Sequence, residues 1–144
     1  MRIQTLSILA GSAACNARCP FCISKMTPPN GVELKEPEVD WRNFRKACEL
    51  ANRCGVTTAM ITSKGEPTLF PHQITKYLSV MDEYRIPIVE LQTNGIPIAD
   101  KPEVFDAHLK EWYRLGLTNM AVSIVHFDAE KNREIYLPYR KNYI

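Results

Sequence analysis

Three cysteines crowd into eight residues near the N-terminus, where Cys15, Cys19 and Cys22 form a C-x3-C-x2-C pattern. Thiolates on a short loop are soft metal ligands, and their tight clustering suits metal binding in a reducing compartment better than a disulfide framework. Three thiolates can bind three irons of a cubane and leave the fourth iron without a protein ligand. An open iron permits chemistry, whereas four cysteines usually enclose a cluster that only transfers electrons.

Zinc is the alternative that this cysteine pattern leaves open. A structural zinc site needs four protein ligands, so Cys48, Cys54 or a histidine would have to supply the fourth. Cys48 falls on the inner face of a predicted helix and Cys54 at its end, where we expect small buried hydrophobic side chains. The spacing therefore favours an iron–sulfur cluster over zinc.

The composition is that of an ordinary soluble globular chain, with 144 residues, 45% hydrophobic and 24% charged. The net charge of +2 demands neither a nucleic-acid nor a membrane partner, and we expect neither. The apolar stretch 3–10 before Cys15 has some character of an export signal. Gln4, Thr5 and Ser7 dilute this stretch, so we expect a cytoplasmic protein without a membrane span.

Strand patterns alternate with helix patterns along the chain. Short apolar runs predict strands at 3–10, 56–62, 86–91 and 120–125. Amphipathic spacing predicts a helix that starts after Asp40 and ends before Gly55, and further helices around 74–81, 104–115 and 129–135. This alternation indicates an α/β fold with a parallel sheet, in which the turns after the strands collect at one rim where ligands bind.

The predicted sheet is incomplete. About four strand–helix units are present, and four units cannot close an eight-stranded barrel. We therefore expect a single domain over 1–144 that lacks the last strands of a full core. Three explanations fit this pattern: a shortened natural version, a fragment, or a last strand whose open edge a partner chain or a second copy covers.

Several motifs together resemble the radical SAM (S-adenosylmethionine) superfamily. The signature of this family is C-x3-C-x2-C with an aromatic residue, here Phe21, just before the third cysteine. The segment Gly65-Glu66-Pro67 after the second predicted strand is similar to the family's Gly-Gly-Glu-Pro motif, although Lys64 replaces the first glycine. Thr93-Asn94-Gly95 after the third strand is similar to its Thr-Asn-Gly turn, and Ser123 lies in the fourth strand, where many members place a serine.

The resemblance implies a fold and a reaction. The fold would be part of a (β/α)6 partial TIM-type barrel. A [4Fe–4S] cluster on Cys15, Cys19 and Cys22 would cleave SAM reductively to a 5′-deoxyadenosyl radical, which abstracts hydrogen from an unidentified substrate. A flavodoxin- or ferredoxin-like protein would donate the electron. The alternatives are a truncated iron–sulfur or electron-transfer module without turnover and, less favoured, a structural zinc domain.

The resemblance also implies roles for individual residues, while no catalytic side chain is assigned. Phe21 would pack near the adenine of SAM, and the amino group of SAM would meet Gly65, Glu66 and Pro67. Thr93 and Ser123 would touch its carboxylate or ribose. Asn94 would also bind the cofactor, although Asn94-Gly95 is equally typical of a simple tight turn.

Overall fold

The computed structural model of the chain describes residues 3–26 and 34–138, so both ends of the predicted domain 1–144 lie outside the described residues. Four strands form one parallel sheet in the order β1-β2-β3-β4: Thr5–Leu9, Thr58–Thr62, Ile88–Thr93 and Asn119–Val122. The helices α1 to α5 are Trp41–Arg53, Pro71–Asp82, Ile96–Asp100, Pro102–Arg114 and Ala129–Tyr136. The predicted α/β fold is confirmed.

The helix boundaries depend on local interactions, some of which the sequence predicts. The Asp40 side chain accepts a hydrogen bond from Asn43 N at 3.0 Å and so begins α1 as expected. The short helix α3 is not predicted, because five residues are too few to show a helical period. It begins after Gly95, whose φ of 74° lies in the left-handed region, and Pro97 occupies its first turn.

The strands pair in register, so their carboxyl ends lie at one edge of the sheet. Leu9 pairs with Thr62, and Thr93 pairs with Val122. β1 and β4 each pair with one strand in the part of the chain that the structure describes, which leaves both sheet edges open as expected for an unclosed barrel.

The main hydrophobic core lies between one face of the sheet and the helices. Alternate strand residues such as Ile61 and Leu91 are fully buried there, together with Leu78 of α2 and Trp112 of α4. Cys48 of α1 belongs to this core, and burial raises the pKa of its thiol to about 11. Its predicted role as a small buried side chain is confirmed. None of the described helices is long and apolar enough to cross a membrane.

Candidate functional site

A cavity of about 570 Å³ lies where the strands end at their carboxyl edge. This volume falls within the roughly 300–1,000 Å³ that is usual for small-molecule sites. The three clustered cysteines line the cavity, and so does every other residue that the motifs predict as cofactor-binding: Phe21, Gly65, Glu66, Pro67, Thr93, Asn94 and Ser123.

The three cysteines lie on the loop that follows β1, and none of the five cysteines, all within the described residues, forms a disulfide. Cys15 Sγ accepts hydrogen bonds from Ala17 N at 3.4 Å and from Asn94 Nδ2 at 3.8 Å. Burial raises the pKa of Cys15, while the Ala17 N–H lowers it by favouring the thiolate. A bound soft metal ion would reverse the effect of burial on the pKa of Cys15, because its positive charge stabilises the deprotonated sulfur.

The start of the cysteine loop packs directly on the turn after β2. Glu66 N donates to Ala14 O at 2.9 Å, and Ser63 Oγ donates to Ser12 O at 3.2 Å. A Cβ at Gly65 would stand 1.9 Å from Ala14 O, so a residue with a side chain does not fit this crossing. Gly65 is therefore required by a close approach of two backbone segments of the protein.

The replacement of the first motif glycine by Lys64 does not disturb this turn. The Lys64 side chain is exposed, and Lys64 does not line the cavity. Its backbone carbonyl accepts a hydrogen bond from Ser24 Oγ, just after the third cysteine. Lys64 therefore contacts the end of the cysteine loop through its backbone carbonyl. This hydrogen bond does not depend on the side chain at position 64.

Glu66 joins the ends of β2 and β3. Its side chain is 2% exposed, and its two oxygens accept four hydrogen bonds. Oε1 accepts from Thr68 N at 3.0 Å, Thr68 Oγ1 at 2.6 Å and Thr93 Oγ1 at 2.5 Å, and Oε2 accepts from Asn94 N at 2.8 Å. Glu66 thus couples two of the predicted motifs through a buried network.

The variant Glu66→Gln should be destabilised by about 1–3 kcal/mol. The new NH₂ group would face an N–H or O–H group that now donates to the carboxylate, and that donor would lose its acceptor. The free energy of unfolding, measured in urea, checks this expectation. Glu49→Gln is the matched control, since Glu49 forms only an exposed pair with Arg53 at 2.6 Å on α1 and should change stability by less than about 0.5 kcal/mol. Equal stability of the two variants would contradict this account of Glu66.

The Asn94-Gly95 pair is a tight turn and also a contact with the cysteine loop. Asn94 Oδ1 accepts from Ile96 N at 2.9 Å, whereas Nδ2 donates to Asn16 Oδ1 at 2.9 Å. Gly95 N donates to Thr93 Oγ1 at 2.9 Å. The turn therefore connects the end of β3 to the residues around Cys15.

Phe21 and Ser123 lie at the edge of the cavity, and the setting of Ser123 differs from the prediction. Phe21 is 63% exposed, and its ring borders the cavity. Ser123 follows β4 rather than lying within it, because the strand ends at Val122. Ser123 N still donates to Thr93 O at 2.9 Å, which keeps the residue at the cavity edge.

Tyr136 is a residue of the site that the sequence analysis did not identify. It ends α5, lines the cavity and is 6% exposed, within a small cluster that includes Cys19. Its hydroxyl donates to Ser123 O at 3.0 Å, and its carbonyl accepts from Arg18 N at 2.9 Å. Burial raises the pKa of Tyr136, so its phenol stays protonated and keeps donating. No motif marks this position, and only the periodicity of α5 points to its burial.

Replacement of Tyr136 by Phe should reduce the free energy of unfolding by about 1 kcal/mol, because Ser123 O loses its donor while the ring packing remains. Chemical denaturation of this variant and of Tyr113→Phe gives the comparison, since Tyr113 is exposed on α4 and its variant should match wild type. An unchanged Tyr136→Phe protein would show that the hydroxyl contributes nothing to the site.

A cluster and a single metal ion place different demands on the three cysteines. Within residues 3–26 and 34–138, no group of three or more His, Cys, Asp or Glu side chains converges closely enough to hold one metal ion. A cubane binds each cysteine at a different iron, so its ligands need not converge on a point. Three cysteines outside any disulfide border one cavity, as that arrangement requires.

Comparison with known proteins agrees with this geometry. A model of the radical SAM superfamily matches residues 10–143, which include every predicted site residue. No match to the chain is found among curated proteins. Members of this superfamily generally bind a [4Fe–4S] cluster and SAM, for which the cavity supplies thiols and polar groups. Since the match extends over most of the 144 residues, the chain belongs to the radical SAM superfamily.

Proposed function

We propose that the chain is a radical SAM enzyme in which Cys15, Cys19 and Cys22 hold three irons of a [4Fe–4S] cluster. When bound, the cluster would supply the electron for reductive cleavage of SAM to methionine and a 5′-deoxyadenosyl radical, which would take a hydrogen atom from a substrate. The single observation that supports this proposal most is the meeting of all ten predicted residues at one cavity.

The chain's own residues would bind and orient the cofactor. Gly65, Glu66 and Pro67 would face the SAM amino group, and we propose that they do so through backbone atoms, because four hydrogen bonds already occupy the Glu66 carboxylate. The exposed ring of Phe21 is free to stack on adenine.

Polar groups at the other strand ends complete the proposed cofactor site. Thr93, Asn94 and Ser123 lie together at the ends of β3 and β4 and would contact the carboxylate or ribose of SAM. The Glu66 network and Tyr136 would hold these residues in place, because they fix the turns after the strands.

The partners that we propose follow from the same chemistry. A flavodoxin- or ferredoxin-like protein would supply the electron that reduces the cluster. The proposed cofactors include no second redox centre that could do so. Five cysteines without a disulfide among them support a reducing cytoplasmic setting. The open edge at β4 supports a covering partner chain or a second copy.

Metal analysis of anaerobically purified protein tests the first step. Iron and sulfide near four each per chain are expected. Stoichiometric zinc without sulfide would instead support the structural zinc domain and overturn the proposal.

Release of 5′-deoxyadenosine tests the second step. Cluster-loaded protein incubated with SAM should release 5′-deoxyadenosine when dithionite is added and none when it is omitted. A cluster of full iron content that releases no 5′-deoxyadenosine under these conditions would favour the electron-transfer module without turnover.

A further inference from the structure

Among residues 3–26 and 34–138, the helical core packs on one face of the sheet, and the opposite face borders the cavity. Side chains alternate along each strand, so the residues that do not enter the core point to this side, which we call the open face. Because the strands pair in register, its side chains form rows across the sheet, and two of these rows lie nearest the cavity. One row is Ser7, Met60, Glu90 and Asn119, and the next row toward the cavity is Leu9, Thr62, Gln92 and Ala121.

Glu90 is the single charged residue in the four strands, whose other positions are apolar or neutral polar. Glutamate is disfavoured in strands, and a partly buried carboxylate without a cation costs solvation energy. Within the described residues Glu90 forms no ion pair, and its contact is a hydrogen bond from Gln92 Nε2 to Oε1 at 3.1 Å. The described part of the chain therefore supplies no counter-ion for this charge.

Gln92 connects this carboxylate to the cavity. Its Nε2 points back along the strand, toward Glu90 and toward Met60 Sδ at 2.9 Å. Its Oε1 accepts no hydrogen bond from the described part of the chain, and Gln92 lines the cavity. Glu90 lies two residues away, at roughly 6.6 Å along the strand. Two oxygen acceptors thus stand at and next to the cavity lining, and no cation from residues 3–26 or 34–138 contacts them.

We propose that the open face binds the cationic amino group of the substrate, with Glu90 as its counter-ion and Gln92 Oε1 as a second acceptor. A primary ammonium has three donors and a positive charge, which match these two oxygens. An anionic substrate would meet like charge at Glu90. This inference rests on the proposed function, because it places the substrate beside the cavity in which SAM would bind.

The test measures binding to cluster-loaded protein with SAM by anaerobic titration calorimetry. The probes are cadaverine, pentanediol and glutarate, which share a five-carbon chain and differ in charge. Cadaverine should bind about tenfold more tightly than pentanediol, and glutarate should bind no better than pentanediol. Added salt should weaken cadaverine binding, because the pair is partly exposed.

The variant Glu90→Gln should lose most of the preference for cadaverine, a change of about fivefold to tenfold. Glu111→Gln is the matched control on the exposed surface of α4, and it should bind cadaverine like wild type. Equal binding of cadaverine and pentanediol, no cadaverine binding to wild type, or unchanged binding by Glu90→Gln would each overturn the inference.

Iron content and SAM binding, measured first on each sample, separate the two proposals. Protein that lacks a cluster or does not bind SAM contradicts the proposed function. Protein that has both but shows no preference for the amine contradicts this inference alone.

Discussion

Replacement of Cys19 by Ala should abolish the iron–sulfur cluster. Two thiolates would remain on the loop, so two irons of the cubane would have no cysteine ligand. Iron and sulfide analysis after anaerobic reconstitution should fall from about four of each to near zero. Release of 5′-deoxyadenosine should disappear together with the cluster.

The control for this variant is Cys54→Ala, which removes a cysteine that ends α1 and does not line the cavity. It should retain the full iron and sulfide content. A Cys19→Ala protein that keeps a complete cluster would overturn the ligand assignment, whereas loss of the cluster in both variants would show a general effect of cysteine removal.

Gly65→Ala should also have a large effect, for a steric reason. The added Cβ would stand 1.9 Å from Ala14 O and 2.8 Å from Ala13 C, which are backbone atoms that cannot turn away like a flexible side chain. Overpacking in a well-packed region costs about 1–3 kcal/mol and occasionally more, and we expect about 3 kcal/mol or more here. The loop that carries Cys15 must shift, so cluster content should fall to less than about half of the wild-type value.

Gly55→Ala distinguishes this steric effect from backbone strain. Gly55 has φ of 72°, a left-handed conformation, but its added Cβ would meet nothing within 4 Å. Gly55→Ala should lose about 1 kcal/mol of stability and keep a full cluster. Denaturation and iron content of the two variants provide the measurement, and a Gly65→Ala protein as stable and as iron-rich as Gly55→Ala would contradict the described crossing.

The elements that the sequence predicts well are those with a repeating apolar pattern. Helix α1 shows this clearly, since Asp40 caps it and Cys48 lies on its buried side, both as expected. The short helix α3 has no such repeat. The strand around Met120 is predicted at 120–125 but ends at Val122, because the apolar residues after it do not pair with β3.

Site residues can be predicted from the sequence where they belong to a motif. They cannot be predicted where their role depends on tertiary contacts. The spacing of Cys15, Cys19 and Cys22 along the chain is enough to indicate metal binding. The role of Tyr136 depends on a contact with Arg18, far away in the sequence, and no local pattern encodes such a contact. Likewise, the close approach that requires Gly65 is visible only when Ala14 is placed beside it.

The contacts of the cysteine loop come from distant parts of the chain, and this has a consequence for biosynthesis. Asn16 meets Asn94, and Arg18 meets Tyr136, which ends α5. A chain that emerges from the ribosome with its N-terminus first exposes the three thiols long before Tyr136 is made. We therefore expect iron–sulfur assembly factors to load the cluster after translation, once α5 has docked, and the unfinished nascent chain to depend on a reducing environment for protection.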